Sequence, residues 1–207
     1  MRDEMKGNAD LSAPVLLVIS GPSGVGKDAV IAGLRHALPS AHFATTATTR
    51  PPRPGEREGI DYRFLTDEQY DRLIAEDGFL ERASVYSHRY GAPKNEVRDA
   101  LRKGQDVIVR VDVQGAATIK RLIPEAVLVF LAPESQAELE RRLRDRSTDS
   151  GADLRLRIDT AAREMAQESA FDHVVVNAEG RLAETVSRIV SIIEVEKRRR
   201  DRPPVRI

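Results

Sequence analysis

The sequence predicts an α/β fold, a mostly parallel sheet flanked by helices, and three observations predict it. Short runs of apolar, β-branched residues recur along the chain, amphipathic helical stretches lie between them, and the first run passes through a glycine-rich turn into a helical pattern. Strands alternating with helices imply βαβ units, whose crossovers cover both faces of one sheet.

The first run is Val15-Leu16-Leu17-Val18-Ile19, ending at Ser20-Gly21-Pro22. A continuous apolar run is what a parallel strand buried on both faces requires. Val107–Val111 and Ala126–Leu131 resemble it, and His173–Val176 is a fourth. Ala29–Leu38 sets Val30, Leu34 and Leu38 on one stripe, Gln136–Arg144 does so with Leu139 and Leu143, and Arg181–Glu196 with Leu182, Val186, Ile189 and Ile193. That spacing is helical. Two stretches break the rhythm. Residues 44–92 are rich in Thr, Pro, Arg and Gly, then carry the alternating Asp61-Tyr62-Arg63-Phe64, and read as an inserted subdomain. Residues 145–157 are polar and read as a mobile loop leading to a helix from near Asp153. The expected organisation is a disordered 1–13, a domain over 14–196 with core segments 14–43 and 93–196, and a basic tail at 197–207 read as a solvated, frayed helix end.

Composition narrows the function. The 207 residues are 41% hydrophobic and 32% charged, ordinary for a soluble domain. Lys plus Arg and Asp plus Glu are 33 each, so no global basic field points to nucleic acid. With no cysteine, thiol catalysis and Cys-ligated metal are excluded. His36, His42, His88 and His173 lack ligand spacing. No apolar run approaches the roughly 20 residues of a membrane span, and Met1–Asp10 lacks a signal peptide's apolar core. The expectation is a cytoplasmic protein, monomer or homodimer, with no membrane or nucleic-acid partner.

Gly21-Pro22-Ser23-Gly24-Val25-Gly26-Lys27 follows a predicted strand and opens a predicted helix, the context a P-loop demands. A glycine-rich turn lets backbone N–H groups wrap a triphosphate, the helix N-terminus adds positive charge, and Lys27 reaches the transferring phosphates. The expected fold is therefore of P-loop NTPase type. After the lysine, where Ser or Thr usually ligates Mg²⁺, stand Asp28 and Ala29. A carboxylate is a hard-oxygen ligand and also suits a helix N-terminus, so Asp28 reads either as the metal contact or as a cap.

Downstream come Thr48-Thr49-Arg50-Pro51-Pro52-Arg53-Pro54-Gly55-Glu56, Gly59-Ile60-Asp61-Tyr62-Arg63-Phe64, Phe79-Leu80-Glu81, Tyr90-Gly91-Ala92-Pro93 and Asp112-Val113-Gln114-Gly115. With the P-loop, in this order, the chain resembles the guanylate kinases from about residue 14 to 196. The resemblance implies transfer of the ATP γ-phosphate to GMP and dGMP, with Mg²⁺, in purine nucleotide metabolism. It implies that Arg50, Arg53, Tyr62 and Tyr90 hold the GMP phosphate, which guanidinium forks and hydroxyls suit. It assigns the guanine N–H pair to Glu81 with Asp112 assisting, and guanine O6 to Thr46. Arg146 and Arg157 match the lid arginines that close over the transferring phosphate, while Arg141, Arg142, Arg144 and Arg155 read as solvated charges. Asn177 matches a residue near adenine, or else ends a strand in a turn.

Three further positions depart from the family pattern. Ala92 replaces a hydroxyl, Ser147 replaces a lid glycine, and Arg110 stands where an acid is usual, with Glu81, Asp112 or a phosphate as its candidate partners. Two other readings compete with it: a kinase of ribose bisphosphate, some of which share Gly-Lys-Asp, and a non-catalytic peptide-binding scaffold. The first lacks the acceptor block present here; the second generally loses P-loop residues retained here.

Overall fold

A computed structural model describes residues 13–85, 87–145, 151–199 and 201–207, without the side chains of 85 and 151–153. Five parallel strands form the main sheet in the order β2-β7-β1-β8-β9, where β1 is Leu16–Ser20, β2 His42–Phe43, β7 Val107–Arg110, β8 Val127–Ala132 and β9 His173–Val176. Strand β1 sits at the centre and all five of its residues are buried. Its alternation feeds two cores. Leu17 and Ile19 pack with helices α1 (Lys27–Ala37), α5 (Gln136–Asp145), α6 (Gly151–Met165) and α7 (Leu182–Arg198). Leu16 and Val18 pack with α3 (Lys94–Arg102) and α4 (Val113–Leu122) on the other face. This is the two-sided burial that the unbroken apolar run requires.

Strand β9 differs from expectation. It is an edge strand, and Val174 and Val176 are 43% and 41% exposed while Val175 is buried. An edge strand covered on one face needs no second apolar partner, so the valine run over-predicted its burial.

A second sheet, order β4-β3-β6-β5, comprises β3 (Ala47–Thr48), β4 (Arg63–Phe64), β5 (Phe79–Val85) and β6 (His88–Pro93). Its own core is small: Ala47, Tyr70 and Phe79, with Tyr70 carried by α2 (Asp67–Ala75). The Tyr70 and Phe79 rings lie 4.6 Å apart, and Tyr70 donates its hydroxyl to the Tyr90 carbonyl at 2.6 Å.

The C-terminal segment corrects the reading of a solvated tail. Arg202 donates to the Pro14 carbonyl at 3.1 Å and also bonds the Ala13 carbonyl, while Val205 and Ile207 pack against the core beneath α3 and α4. Apolar residues beyond the basic stretch give it something to bury. Residues 1–12, most of the expected disordered N-terminus, and 146–150, within the expected polar loop, lie outside the described residues.

Candidate active site

The first glycine of the turn after β1 is fixed by space. Gly21 has φ +141°, and a Cβ there would meet the Leu131 carbonyl oxygen at 2.3 Å. Gly26, at φ 98°, begins α1 in the left-handed region, and a Cβ would strike the Asn177 amide at 2.7 Å. Both positions tolerate only glycine without rearrangement. The Val25 side chain is buried in the core, so the loop presents its backbone to the cleft.

Lys27 Nζ donates to the Gly21 carbonyl at 2.6 Å and to the Pro22 carbonyl at 3.1 Å. Its pKa is lowered, chiefly by burial, with Glu164 and Asp28 opposing the shift. Glu164, on α6, accepts from the Ser23 N–H at 2.9 Å. Burial raises its pKa and Lys27 pulls the other way. A carboxylate thus occupies one of the loop's anion-seeking N–H groups, and its neighbour Lys27 is turned onto the loop's own carbonyls. Sequence reasoning missed Glu164, which reaches the loop across 141 residues.

Ser23, Gly24, Gly26, Lys27 and Asp28 line one side of a cleft of about 700 Å³. Thr46, Arg50, Arg53, Tyr62, Glu81, Tyr90 and Asp112 line the same cleft, as does Arg157. The loop and the acceptor residues, read separately from sequence, therefore face one space. Arg146 lies outside the described residues. Ala29 is exposed on α1 and Asn177 lies outside the lining. Asn177 is instead 6% exposed and donates its amide to the Val25 carbonyl at 2.8 Å, bracing the loop from behind. Arg142 joins it, donating to Val25 O at 3.2 Å and Asn177 O at 3.1 Å. It is 17% exposed, so the reading of a solvated charge fails for Arg142. Arg141 and Arg144 are half exposed and pair along or beside their helix.

Arg50 is 8% exposed, and its Nη2 donates to both Glu56 carboxylate oxygens, at 2.8 and 2.9 Å. Glu56 also accepts from the Arg53 N–H at 2.7 Å, which holds both arginines in one tight loop. Burial works against the Arg50 charge, but Glu56 and Tyr90 outweigh it and its pKa rises. Its guanidinium lies 5.3 Å from the Tyr62 ring centre, and the Tyr62 and Tyr90 rings are 6.1 Å apart, edge to face.

Deeper in the cleft, Glu81 is 4% exposed. Its Oε1 accepts from the Ala92 N–H at 3.0 Å, so position 92 contributes its backbone. Among the described residues Oε2 has no donor. Burial, reinforced by the Asp112 charge, pushes the Glu81 pKa up to about 8. Asp112 caps α4 by accepting from the Gly115 N–H at 2.7 Å. Gly115 explains a helix that carries glycine in its first turn: a Cβ there would sit 2.7 Å from Glu81 Oε2. A buried acceptor lacking a donor costs free energy until a ligand supplies one. Thr46 donates its hydroxyl to the Arg110 carbonyl at 2.9 Å.

Among the described residues Arg110 pairs with neither carboxylate offered for it, Glu81 or Asp112. It pairs with Asp28, donates to the Asp61 carbonyl at 2.7 Å, and lies 4.2 Å from the Tyr62 ring centre. No group of three or more His, Asp or Glu suited to a metal occurs among the described residues. No helix among them is long and apolar enough to cross a membrane.

Comparison with known proteins identifies the family. Residues 14–196 match the family model described as guanylate kinase. The chain is 46% identical over 185 residues to guanylate kinase 2, chloroplastic/mitochondrial, of Oryza sativa subsp. japonica, covering 89% of this chain and 65% of that protein. It is 44% identical over 180 residues to a guanylate kinase of Mycobacterium sp. (strain MCS), covering 86% and 90%. Among solved structures, guanylate kinase from Anaplasma phagocytophilum superimposes with a TM-score of 0.77 at 32% identity, over 92% of this chain and 90% of that one.

Proposed function

The chain belongs to the guanylate kinase family, and from that premise we propose how its cleft carries the γ-phosphoryl group of ATP to GMP. The observation that supports this most directly is that Lys27 and the Arg50, Arg53, Tyr62 and Tyr90 cluster line one cleft of about 700 Å³. Two anionic nucleotides bound there would meet phosphate to phosphate.

In this reading the loop N–H groups, the α1 N-terminus and Lys27 hold the ATP phosphates. ATP displaces the Glu164 carboxylate from Ser23 and draws Lys27 off the loop carbonyls. Arg50, Arg53, Tyr62 and Tyr90 hold the acceptor phosphate, and Glu81 accepts the guanine N–H pair, Thr46 lying beside the base. A GMP phosphate oxygen is already ionised, so it attacks without a general base. What the protein supplies is alignment and charge stabilisation of the equatorial oxygens. Arg157, with Arg146, covers the transferring group and excludes water. Asn177 and Arg142 act behind the loop, keeping its shape.

Mg²⁺ is proposed as the metal carried with ATP. The donor set fits it modestly: Asp28 is one hard carboxylate beside Lys27, and Mg²⁺ commonly takes one or two carboxylates with the rest from phosphate and water. The ion would neutralise phosphate charge. We also propose dGMP as an acceptor, since no group named above is assigned to the 2′-hydroxyl, and a cytoplasmic location.

The test is ADP release with ATP and Mg²⁺ across GMP, dGMP, AMP, UMP and ribose bisphosphate. Turnover with GMP and dGMP is expected, and at most about a hundredth of that efficiency with AMP, which leaves Glu81 without donors. Turnover confined to the sugar phosphate would reject the proposal.

A further inference from the structure

Asp28 and Arg110 each depart from the pattern the sequence resembles, in opposite directions of charge, and the two departures meet. Asp28 lies in the first turn of α1, directly after the phosphate-binding lysine. Arg110 ends β7, paired in register with Ile19 of β1. They are 82 residues apart in sequence and ion-paired in the fold. The Arg110 side chain is only 11% exposed, so its contacts are constrained.

A single guanidinium here touches both substrate sides of the cleft. One nitrogen is spent on Asp28, on the donor side. Another donates to the Asp61 carbonyl, in the segment that carries the acceptor tyrosine. Its plane lies over the Tyr62 ring at 4.2 Å, closer than Arg50 at 5.3 Å. Asp61 in turn accepts from the Arg57 N–H at 2.8 Å, and the Tyr62 carbonyl accepts from the Gly59 N–H at 2.8 Å, so the segment is a closed turn that Arg110 grips from the sheet. Only a planar fork serves a carboxylate, a carbonyl and an aromatic face together; an ammonium is a point charge without a stacking face.

We propose that Arg110 is a positioning residue that fixes Tyr62 for the acceptor phosphate, and that Asp28 acts on the acceptor site through Arg110. The pair is a strut between the P-loop helix and the acceptor turn. This rests on the assignment of Tyr62 to the GMP phosphate. It also gives Asp28 a task that needs neither ATP nor metal.

That last point supplies the test. GMP affinity is measured by calorimetry without ATP and with chelator present, where Asp28 has no nucleotide-borne metal to contact. Arg110→Met is expected to weaken GMP about tenfold. Asp28→Asn should weaken it about threefold, because the neutral amide aligns Arg110 less firmly. The double variant should be no weaker than Arg110→Met alone, since Asp28 acts through Arg110. Arg110→Lys should fall between wild type and Arg110→Met. In turnover, Arg110→Met should raise KM for GMP while kcat changes little, and ADP affinity should be preserved. GMP affinity within twofold of wild type for Arg110→Met, or losses that multiply in the double variant, would overturn the strut. Should Arg110→Met not fold, Asp28→Asn and Arg110→Lys decide alone, and unchanged GMP affinity in both overturns it. A wild-type chain that fails to bind GMP would instead reject the acceptor-site assignment on which the inference stands.

Discussion

The two sheets meet at one cleft but solve different problems. The five-stranded sheet is parallel throughout, buried on both faces except at its β9 edge, and offers the loop after β1 as backbone N–H groups on a rigid base. The four-stranded sheet has a separate core of only three buried residues, sends Leu80 and Ala92 into the core beneath the main sheet, and carries ion pairs at its outer part: Arg50 to Glu56, Arg89 to Asp67 and Asp71, Lys94 to Asp77. The Arg89 and Lys94 pairs reach solvent and contribute little stability each, so the outer part of the second sheet is the softer region. On the proposed function, the difference separates where the phosphates are held from where the acceptor is chosen. A triphosphate can be read by backbone, which every loop has, whereas a guanine base and a monophosphate need particular side chains.

The largest expected break in this comparison is on the rigid side. Lys27→Ala should lower kcat about a thousandfold, the scale for removing a group aimed at developing transition-state charge, while GMP affinity measured without ATP stays within about twofold. Steady-state kinetics and calorimetry together check it. A comparable loss of GMP affinity would mean that the two sides are not separable as described.

Next comes the acceptor side, through Glu81. Its pKa of about 8 in the free protein comes first from burial and then from Asp112. Guanine N–H donors favour the ionised form, so GMP binding lowers that pKa. The complex then holds fewer protons than the free protein at pH below about 8, and by linkage GMP affinity rises with pH and levels off above about 8. Above about pH 7 the GMP phosphate is already largely dianionic, so the remaining slope belongs to Glu81. Calorimetry in two buffers of different ionisation enthalpy should register proton release. Glu81→Gln should weaken GMP about a hundredfold and abolish the pH slope. Proton uptake on binding, or a slope retained in the variant, would remove Glu81 from the base.

The same contrast explains what could be read in advance. Strands β1, β7 and β8 were legible because burial on both faces leaves a continuous apolar run. Strand β5 was not, because Phe79–Val85 carries the carboxylate of Glu81 inward and so breaks the pattern of a buried strand. Strands β2 and β3 span two residues each, too short for any period. Helix α4 is masked by Gly115, where a side chain would collide with Glu81. The acceptor cluster was legible only as a motif. Its supports were not: Glu164 and Arg142 reach the loop across 141 and 117 residues, and single charged residues on helices look alike until the fold brings one inward.

The smallest effect tests whether the soft side opens by itself. Helix α2 begins with a reciprocal cap, Thr66 accepting from the Gln69 N–H at 3.2 Å and Gln69 accepting from the Thr66 N–H at 2.9 Å. Thr66→Ala should cost about 1 kcal/mol. If the second sheet and α2 open as a unit separate from the main sheet, amide exchange in α2 should speed up about fivefold while β1 amides keep their protection. Tyr70 links α2 to the Tyr90 carbonyl, so a small rise in KM for GMP should accompany the change, with kcat unmoved. Equal loss of protection in α2 and β1 would mean that the charged region and the apolar one unfold together, and the second sheet would lose its standing as the softer side.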